Sequence, residues 1–241
     1  MLILSLDSTA QTASVALSEN DTFLSGVTLN IGNKHSTTLL PAVEFVMKVS
    51  GRTVSDIDLF AVTSGPGSFT GVRIGAATVK GLAIGRDVPC IGVSSLETMA
   101  EGAAIANGIV CPMINARRDR YFSACFEAEN GRITRLSEDD TLEGVKIEEY
   151  LNSQEKPVYL IGDGADVFFQ SHSVASHIKV PEMLKYPFAY YAGIIAKRTY
   201  ESSDETEKRE FTAENLRPTY LRQPQAEREL LERSNNNSKE N

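Results

Sequence analysis

Gly65, Gly67 and Gly71 in GPGSFTGVRIG (65–75) run straight into a predicted helix, an arrangement that exposes backbone N–H groups to a carboxylate or phosphate. With Asp7 and Ser68 they make a candidate ligand loop. The spacing is neither GxGxxG nor GxxxxGK followed by Ser or Thr, so dinucleotide and P-loop chemistry are unsupported. A plain strand–glycine–helix turn accounts for the same residues. Asp7 ends an apolar run and is followed by Ser8 and Thr9, where a nucleotide-binding fold would set a carboxylate beside metal and phosphate. The same trio can also cap its own turn. Gly162, Asp163 and Gly164 form a second glycine turn open to both readings.

Other chemistries fail on spacing. His35, His172 and His177 belong to no HExxH motif, and the two in QSHSVASH are five residues apart, off the i,i+4 spacing of helical metal ligands. They read as solvated loop histidines. Ser68 lacks the flanking glycines of G-x-S-x-G. Arg117, Arg118 and Arg120 around Asp119 form the one tight basic cluster, able to meet phosphate or to line a solvated edge. No catalytic set and no metal site emerge from these patterns.

The elements that must position these residues follow from periodicity. LILSLD (2–7), ASVALS (13–18) and a run near 22–29 read as strands, with DSTAQT (7–12) as the first turn. Leu39, Leu40, Val43, Val46 and Met47 share a helical face, predicting a helix over 38–50 with Thr38 as N-cap, Pro41 in the first turn and Gly51 closing it. DLFAVTSG (58–65), a helix over 72–85, PCIGV (89–93) and a helix over 95–106 complete a first unit. IVCPMINA (109–116), YFSACFEAE (121–129), an NG hairpin turn at 130–131, RITRLS (132–137), VYLIGDGA (158–165) and a helix near 187–200 restart the pattern. Two such starts indicate a duplicated α/β fold, with units at 1–104 and 105–223. The polar tail 224–241 cannot bury a core and reads as disordered, with a short helix possible at 225–233.

Composition narrows the function classes. In 241 residues, 41% are apolar and 23% charged, ordinary for a globular chain, and no apolar run nears the roughly 20 residues that span a bilayer. MLILSL meets Asp7 at once, unlike a signal segment. Three cysteines without a CxxC pair fit a reducing cytoplasm better than a disulfide framework. A net charge of −8 opposes strong, independent binding of a polyanion such as a nucleic acid.

Together, LSLDSTAQTASVAL, HSTTLLP (35–41), TSGPGSFTGVRIGAATVKGLA (63–83), IGVSSLETMA (91–100), NARRDRYF (115–122) and RPTYLR (217–222) resemble the TsaB (YeaZ) family of bacterial tRNA threonylcarbamoyladenosine biosynthesis proteins. The pieces keep the family's order over nearly the whole chain. One departure is Asn115, where the family usually has Asp. The resemblance implies an actin-like fold of the ASKHA, ribonuclease H-like type, and a paralogue of the catalytic subunit TsaD, whose corresponding segment carries a His-x-x-x-His metal pair. Here Ser95 and Met99 stand in that window, a poor neutral ligand and a soft one, neither suited to a hard metal. An inactive paralogue is therefore expected.

The implied role is a scaffold that joins a TsaD-like catalytic subunit and a TsaE-like ATPase. Together they move threonylcarbamoyl from its adenylate to the N6 of the adenosine beside the anticodon, in tRNAs reading codons that begin with A. It implies no cofactor or metal for this chain, with ATP and a metal ion used by the partners. tRNA is met only through the complex, and a homodimer forms in isolation. The family pairs through the two helices of its first unit, which puts Leu39, Val43, Val46, Val72, Gly75 and Val79 forward as interface residues, with their own sheet as the other possible neighbour. The competing reading is an enzyme in its own right: an actin-fold ATPase or kinase using Asp7 and Gly162–Gly164, or a metallopeptidase.

Overall fold

The computed structural model describes residues 1–32 and 34–221. The tail and its suggested helix lie outside the described residues. β1 (Leu2–Asp7), β2 (Ala13–Glu19) and β3 (Thr22–Leu29) form an antiparallel meander, and β4 (Leu59–Gly65) and β5 (Cys90–Ser94) extend it in parallel, in the order β3-β2-β1-β4-β5. β1 is buried along its whole length, as expected of a central strand covered on both faces. α1 (His35–Ser50) and α2 (Phe69–Ala83) cover one face, with Leu39, Val43, Val46, Ala76 and Val79 packed on Leu4, Leu6 and Phe60.

Both helices begin three residues earlier than periodicity predicts. In α1 the start is set by Lys34, whose carbonyl accepts from the hydroxyls of Thr37 and Thr38, both at 3.0 Å, and by buried His35, whose Nε2 lies 2.9 Å from the carbonyl of Ala10. Thr38 is therefore not the N-cap, and Pro41 sits within the helix. Gly51 closes it in the left-handed region at φ 66°. In α2 the Ser68 side chain accepts from the Gly71 N–H, so Ser68 is the cap and Gly71 falls inside the helix.

The second sheet repeats the first. β6 (Gly108–Asn115) plays the part of β1, flanked in parallel by β11 (Val158–Ile161) and antiparallel by β7 (Arg120–Ser123) and β8 (Phe126–Glu129). β9 (Arg132–Arg135) and β10 (Asp140–Glu143) pair with β8 and β7. The segment expected to be one strand over 121–129 keeps a single register against β6, with Met113 opposite Ser123 and Val110 opposite Phe126, but its pairing breaks between. Pro112 stands opposite the break and has no N–H to give.

α3 (Ser95–Gly102), shorter than expected, packs Leu96, Met99 and Ala100 against Val110, Ile114 and Phe126 of the second sheet. α4 (Gly144–Asn152), α5 (Asp163–Phe168) and α7 (Glu205–Glu210) were not foreseen from the sequence.

One expectation is corrected. α6 (Ala189–Ser202) does not stay with 105–223: Ala192, Ile195 and Ala196 pack on Ile3, Leu59, Ala61, Ile91 and Val93 of the first sheet. Gly193 makes this approach possible, because a Cβ there would overlap Ser5 Oγ. The following chain stays on that sheet, with Cys90 N–H donating to Phe211 O and Thr219 N–H to Ser64 O. The first unit is thus built from both ends of the described chain.

Candidate functional site

The glycine loop and the β1–β2 turn meet at the top of the first sheet. Asp7 is wholly buried there; its Oδ1 accepts from the hydroxyl of Thr9 at 2.7 Å and from that of Thr63. Oδ2, equally buried, has no hydrogen-bond partner among the described residues. Burial pushes the carboxyl up to about 6, against the lowering effect of the Thr63 and Thr9 hydroxyls.

The glycines are filled by the chain itself. A Cβ on Gly67 would overlap Thr9 O, one on Gly71 would overlap Ser8 O, and one on Gly65 would crowd Thr219 O. The Ser68 N–H already donates to Thr9 O at 2.7 Å, and Ser8 Oγ to Gly71 O at 2.8 Å. Asp7, Gly65, Gly67 and Ser68 are therefore brought together, as a latch between turn and helix in which the Ser68 and Gly71 N–H groups are already engaged. Ser95, the first residue of α3, is fully buried and donates its hydroxyl to Pro66 O, fastening the same loop.

Met99, one turn further along α3, is 3% exposed and lines a cavity of about 640 Å³ with Thr12, Val27, Leu184, Phe188 and Tyr191. The wall is mostly apolar. Neither the chemistry of Ser95 nor that of Met99 suits a hard divalent ion, and their burial against the loop and the cavity wall commits both to packing. Among the described residues no group of three or more His, Cys, Asp or Glu is placed to hold a metal. The metal pair implied by the catalytic relatives does not fit here.

The second glycine turn is also filled. Cβ atoms on Gly162 (φ 98°) and Gly164 would collide with the backbone of Met113, so these glycines let β11 and α5 close on β6. Asp163 Oδ1 accepts the Asn115 N–H at 3.3 Å, and burial raises the Asp163 carboxyl above its usual range. Asn115, at the end of β6 as Asp7 is at the end of β1, is exposed and receives the Arg117 N–H on its Oδ1 at 2.8 Å.

The basic cluster lies on an exposed turn at Arg117, Arg118 and Asp119, with Arg120 half-buried. Arg117, Arg118 and Asp119 all take the left-handed region, at φ 66°, 56° and 53°. Arg120 pairs with Glu143 at 2.6 Å. His172 bridges Asp119 at 2.8 Å and Glu148 at 2.9 Å and stacks on Phe168, with 10% of its side chain exposed. The Glu148 hydrogen bond, with Asp119 behind it, raises the imidazole above its usual range. The expectation of solvated histidines is thus corrected: His35 is buried, His172 is clamped and His177 is half-buried. Partners 24 and 53 residues away leave no local trace in the sequence.

The residues put forward for a partner interface are also corrected. Leu39, Val43, Val46, Val72 and Val79 are at most 2% exposed, and Gly75 is buried, where a Cβ would lie 2.8 Å from Ser8 Oγ. Small residues on α2 let it settle on its own β1–β2 turn and on Val62. What the two helices present outward is different: Leu40, Phe45 and Val49 of α1 are about half exposed, Ala77 and Gly81 of α2 are exposed, and Ile84 at its end is 80% exposed. A Cβ on Gly81 would meet nothing.

Residues 29–230 match the family model described as TsaD, tRNA N6-adenosine threonylcarbamoyltransferase. The chain is 28% identical over 236 residues to a Bacillus subtilis protein named tRNA threonylcarbamoyladenosine biosynthesis protein TsaB, covering 96% of this chain and 99% of that one. An Escherichia coli protein of the same name is 41% identical over 134 residues, 54% of this chain and 58% of its own. The solved structure of YeaZ from Pseudomonas aeruginosa superposes with a TM-score of 0.76 at 25% identity, over 91% of this chain and 99% of that one. The fold is the duplicated actin-like one.

Proposed function

Because the chain belongs to the tRNA N6-adenosine threonylcarbamoyltransferase family and within it to the TsaB (YeaZ) group, we propose that it serves tRNA threonylcarbamoyladenosine biosynthesis as a non-catalytic, activating subunit. One observation carries the non-catalytic part: Ser95 and Met99, where the catalytic paralogue has its metal-binding histidines, are buried and committed to packing. No step of the transfer is assigned to this chain's side chains, and the kinase and peptidase readings are set aside. The catalytic partner supplies the metal and a TsaE-like partner the ATP hydrolysis, in the cytoplasm where tRNA is modified. Among the described residues no helix is long and apolar enough to cross a membrane.

The partner surface we infer is the outer side of α1 and α2, where Leu40, Phe45, Val49, Ala77, Gly81 and Ile84 combine exposed apolar groups with a helix surface of low bulk. Large apolar side chains beside small residues let two helix pairs approach closely, the requirement of a bundle interface. The catalytic subunit takes this surface, and a second copy of the chain takes it when that subunit is absent. Docking acts by favouring the catalytic subunit's active conformation, which requires that this chain bind that conformation more tightly than the inactive one. With a net charge of −8, tRNA is held by the other components. The test is transfer of labelled threonylcarbamoyl to tRNA by the catalytic subunit and ATPase: activity should require this chain, and activity of this chain alone would overturn the reading.

A further inference from the structure

Two of the three cysteines face each other across the second sheet. The register that sets Met113 opposite Ser123 and Val110 opposite Phe126 sets Cys111 opposite Cys125. Cys125 directs its backbone away from β6: its N–H donates to Ser137 Oγ at 2.9 Å, and its carbonyl accepts from Leu136 N–H at 2.8 Å and Ser137 N–H. Cys125 lies in the interruption between β7 and β8 but keeps the non-hydrogen-bonded position relative to β6, for which a regular ladder sets facing Cα atoms about 4.5 Å apart. That spacing falls inside the window of about 4.4–6.8 Å that a disulfide spans. Both side chains belong to one core cluster, with Cys111 wholly buried and Cys125 nearly so. Ser123 Oγ lies 3.2 Å from the Cys111 sulfur.

We propose that Cys111 and Cys125 are a peroxide-sensitive modification site, closing to a cross-strand disulfide when the protein meets a hydroperoxide. The structure has both as free thiols. The Cys111 sulfur, as thiolate, attacks the O–O bond; an S–O bond forms, the O–O bond breaks, and the departing oxygen takes up a proton to leave as water or alcohol. The Cys125 sulfur then attacks the Cys111 sulfur, the S–S bond forms, and the sulfenic oxygen leaves as water with the Cys125 proton. Two thiols are oxidised by two electrons and one peroxide is reduced. The roles follow from the hydrogen bonds. The adjoining Cys125 thiol holds the Cys111 thiol below its ordinary range despite burial, while the same neighbour and burial push Cys125 up. The bond ties β6 to the β7–β8 break and closes the segment holding Arg117, Arg118 and Asp119. Cys90 takes no part, because it packs in the core of the first sheet.

The test treats the native full-length chain with hydrogen peroxide and maps the product. The expected result is loss of two hydrogens from the intact mass, reversible by dithiothreitol. Because trypsin cuts after Arg117, Arg118 and Arg120, the link should appear as a two-chain peptide joining Cys111 to Cys125. Cys90→Ser should leave it unchanged and Cys125→Ala should abolish it. Unfolded in urea, the wild type should give all three pairings instead of one. A native product with mixed pairings, or sulfinic acid without a cross-link, would overturn the proposal, as would no mass change at peroxide levels that link the unfolded chain.

Discussion

The hydroxyl of Ser95 donates to the carbonyl oxygen of Pro66, so the first residue of α3 fastens the loop that launches α2. At the position where the family resemblance implies a metal-binding histidine in the catalytic subunit, this chain has a side chain that pins a loop. The same economy runs through the region: Gly67, Gly71 and Gly75 accept the β1–β2 turn, and Thr63 and Thr9 hold one oxygen of Asp7. The loop that a nucleotide-binding relative would leave open is filled here by the chain itself.

Asp7 gives a pH prediction with a definite sign. Its folded value of about 6 lies above the ordinary 3.8, so its folded form prefers the proton. Its contribution to stability is present below about 3.8 and is lost as pH rises through about 6. Asp7→Asn should therefore be more stable than wild type at pH 8, by about 1–3 kcal/mol, with the gap closing towards pH 4. Urea unfolding at the two pH values measures this; a destabilised variant at pH 8 would mean that the charged carboxylate is held by something else.

The glycines of α2 separate packing from docking. Gly71→Ala drives a methyl into Ser8 O and should cost about 3 kcal/mol, whereas Gly81→Ala meets open space and should stabilise the isolated chain by about 0.5–1 kcal/mol. Thermal unfolding of the two variants should move in opposite directions.

How much of this was legible beforehand varies by element. β1, β2 and β3 were readable because apolar runs and alternation mark them, and the duplicated order followed from the restart at 109. The helix starts were missed by three residues because Lys34 and Ser68 set them through carbonyl and hydroxyl bonds that periodicity does not register. The path of α6 depends on Gly193 resting against Ser5, a contact between distant segments. The interface choice failed for a physical reason: a regular apolar stripe such as Leu39, Val43 and Val46 marks whatever a helix buries, and here that is its own sheet. Asp7, Gly65, Gly67 and Ser68 do lie together, but only the structure reveals that the chain itself fills the cradle.

The outward residues should behave as a docking surface. Leu40→Glu and Ile84→Arg are expected to leave unfolding within about 0.5 kcal/mol of wild type, since both side chains are solvated in the free chain. Each should weaken copurification with the catalytic subunit at least about tenfold. Val79→Arg should instead unfold the chain, being fully buried. Unchanged affinity for both surface variants would move the interface elsewhere.

The His172 bridge gives a pH trend of the same sign, with stability again lost as pH rises. Its imidazole is raised by Glu148 and then by Asp119, so the stabilisation is fully present below the ordinary value of 6.5 and fades as pH rises through the higher folded value. Asp119 is half exposed, and solvent holds the gain to about 1 kcal/mol or less. Glu148→Gln should lower the melting temperature at pH 6 and barely change it at pH 8.5; equal losses at both would show that packing against Phe168, not charge, holds the ring.

The most direct test of the central claim is transfer of labelled threonylcarbamoyl to tRNA by a TsaD-like subunit and a TsaE-like ATPase, with and without this chain. Full activity only in the complete mixture, none from this chain alone, and undiminished rescue by a chain carrying Ser95→Ala together with Met99→Leu are the predicted results. Product formed by this chain alone, or equal activity of the partners in its absence, would contradict a non-catalytic activating subunit.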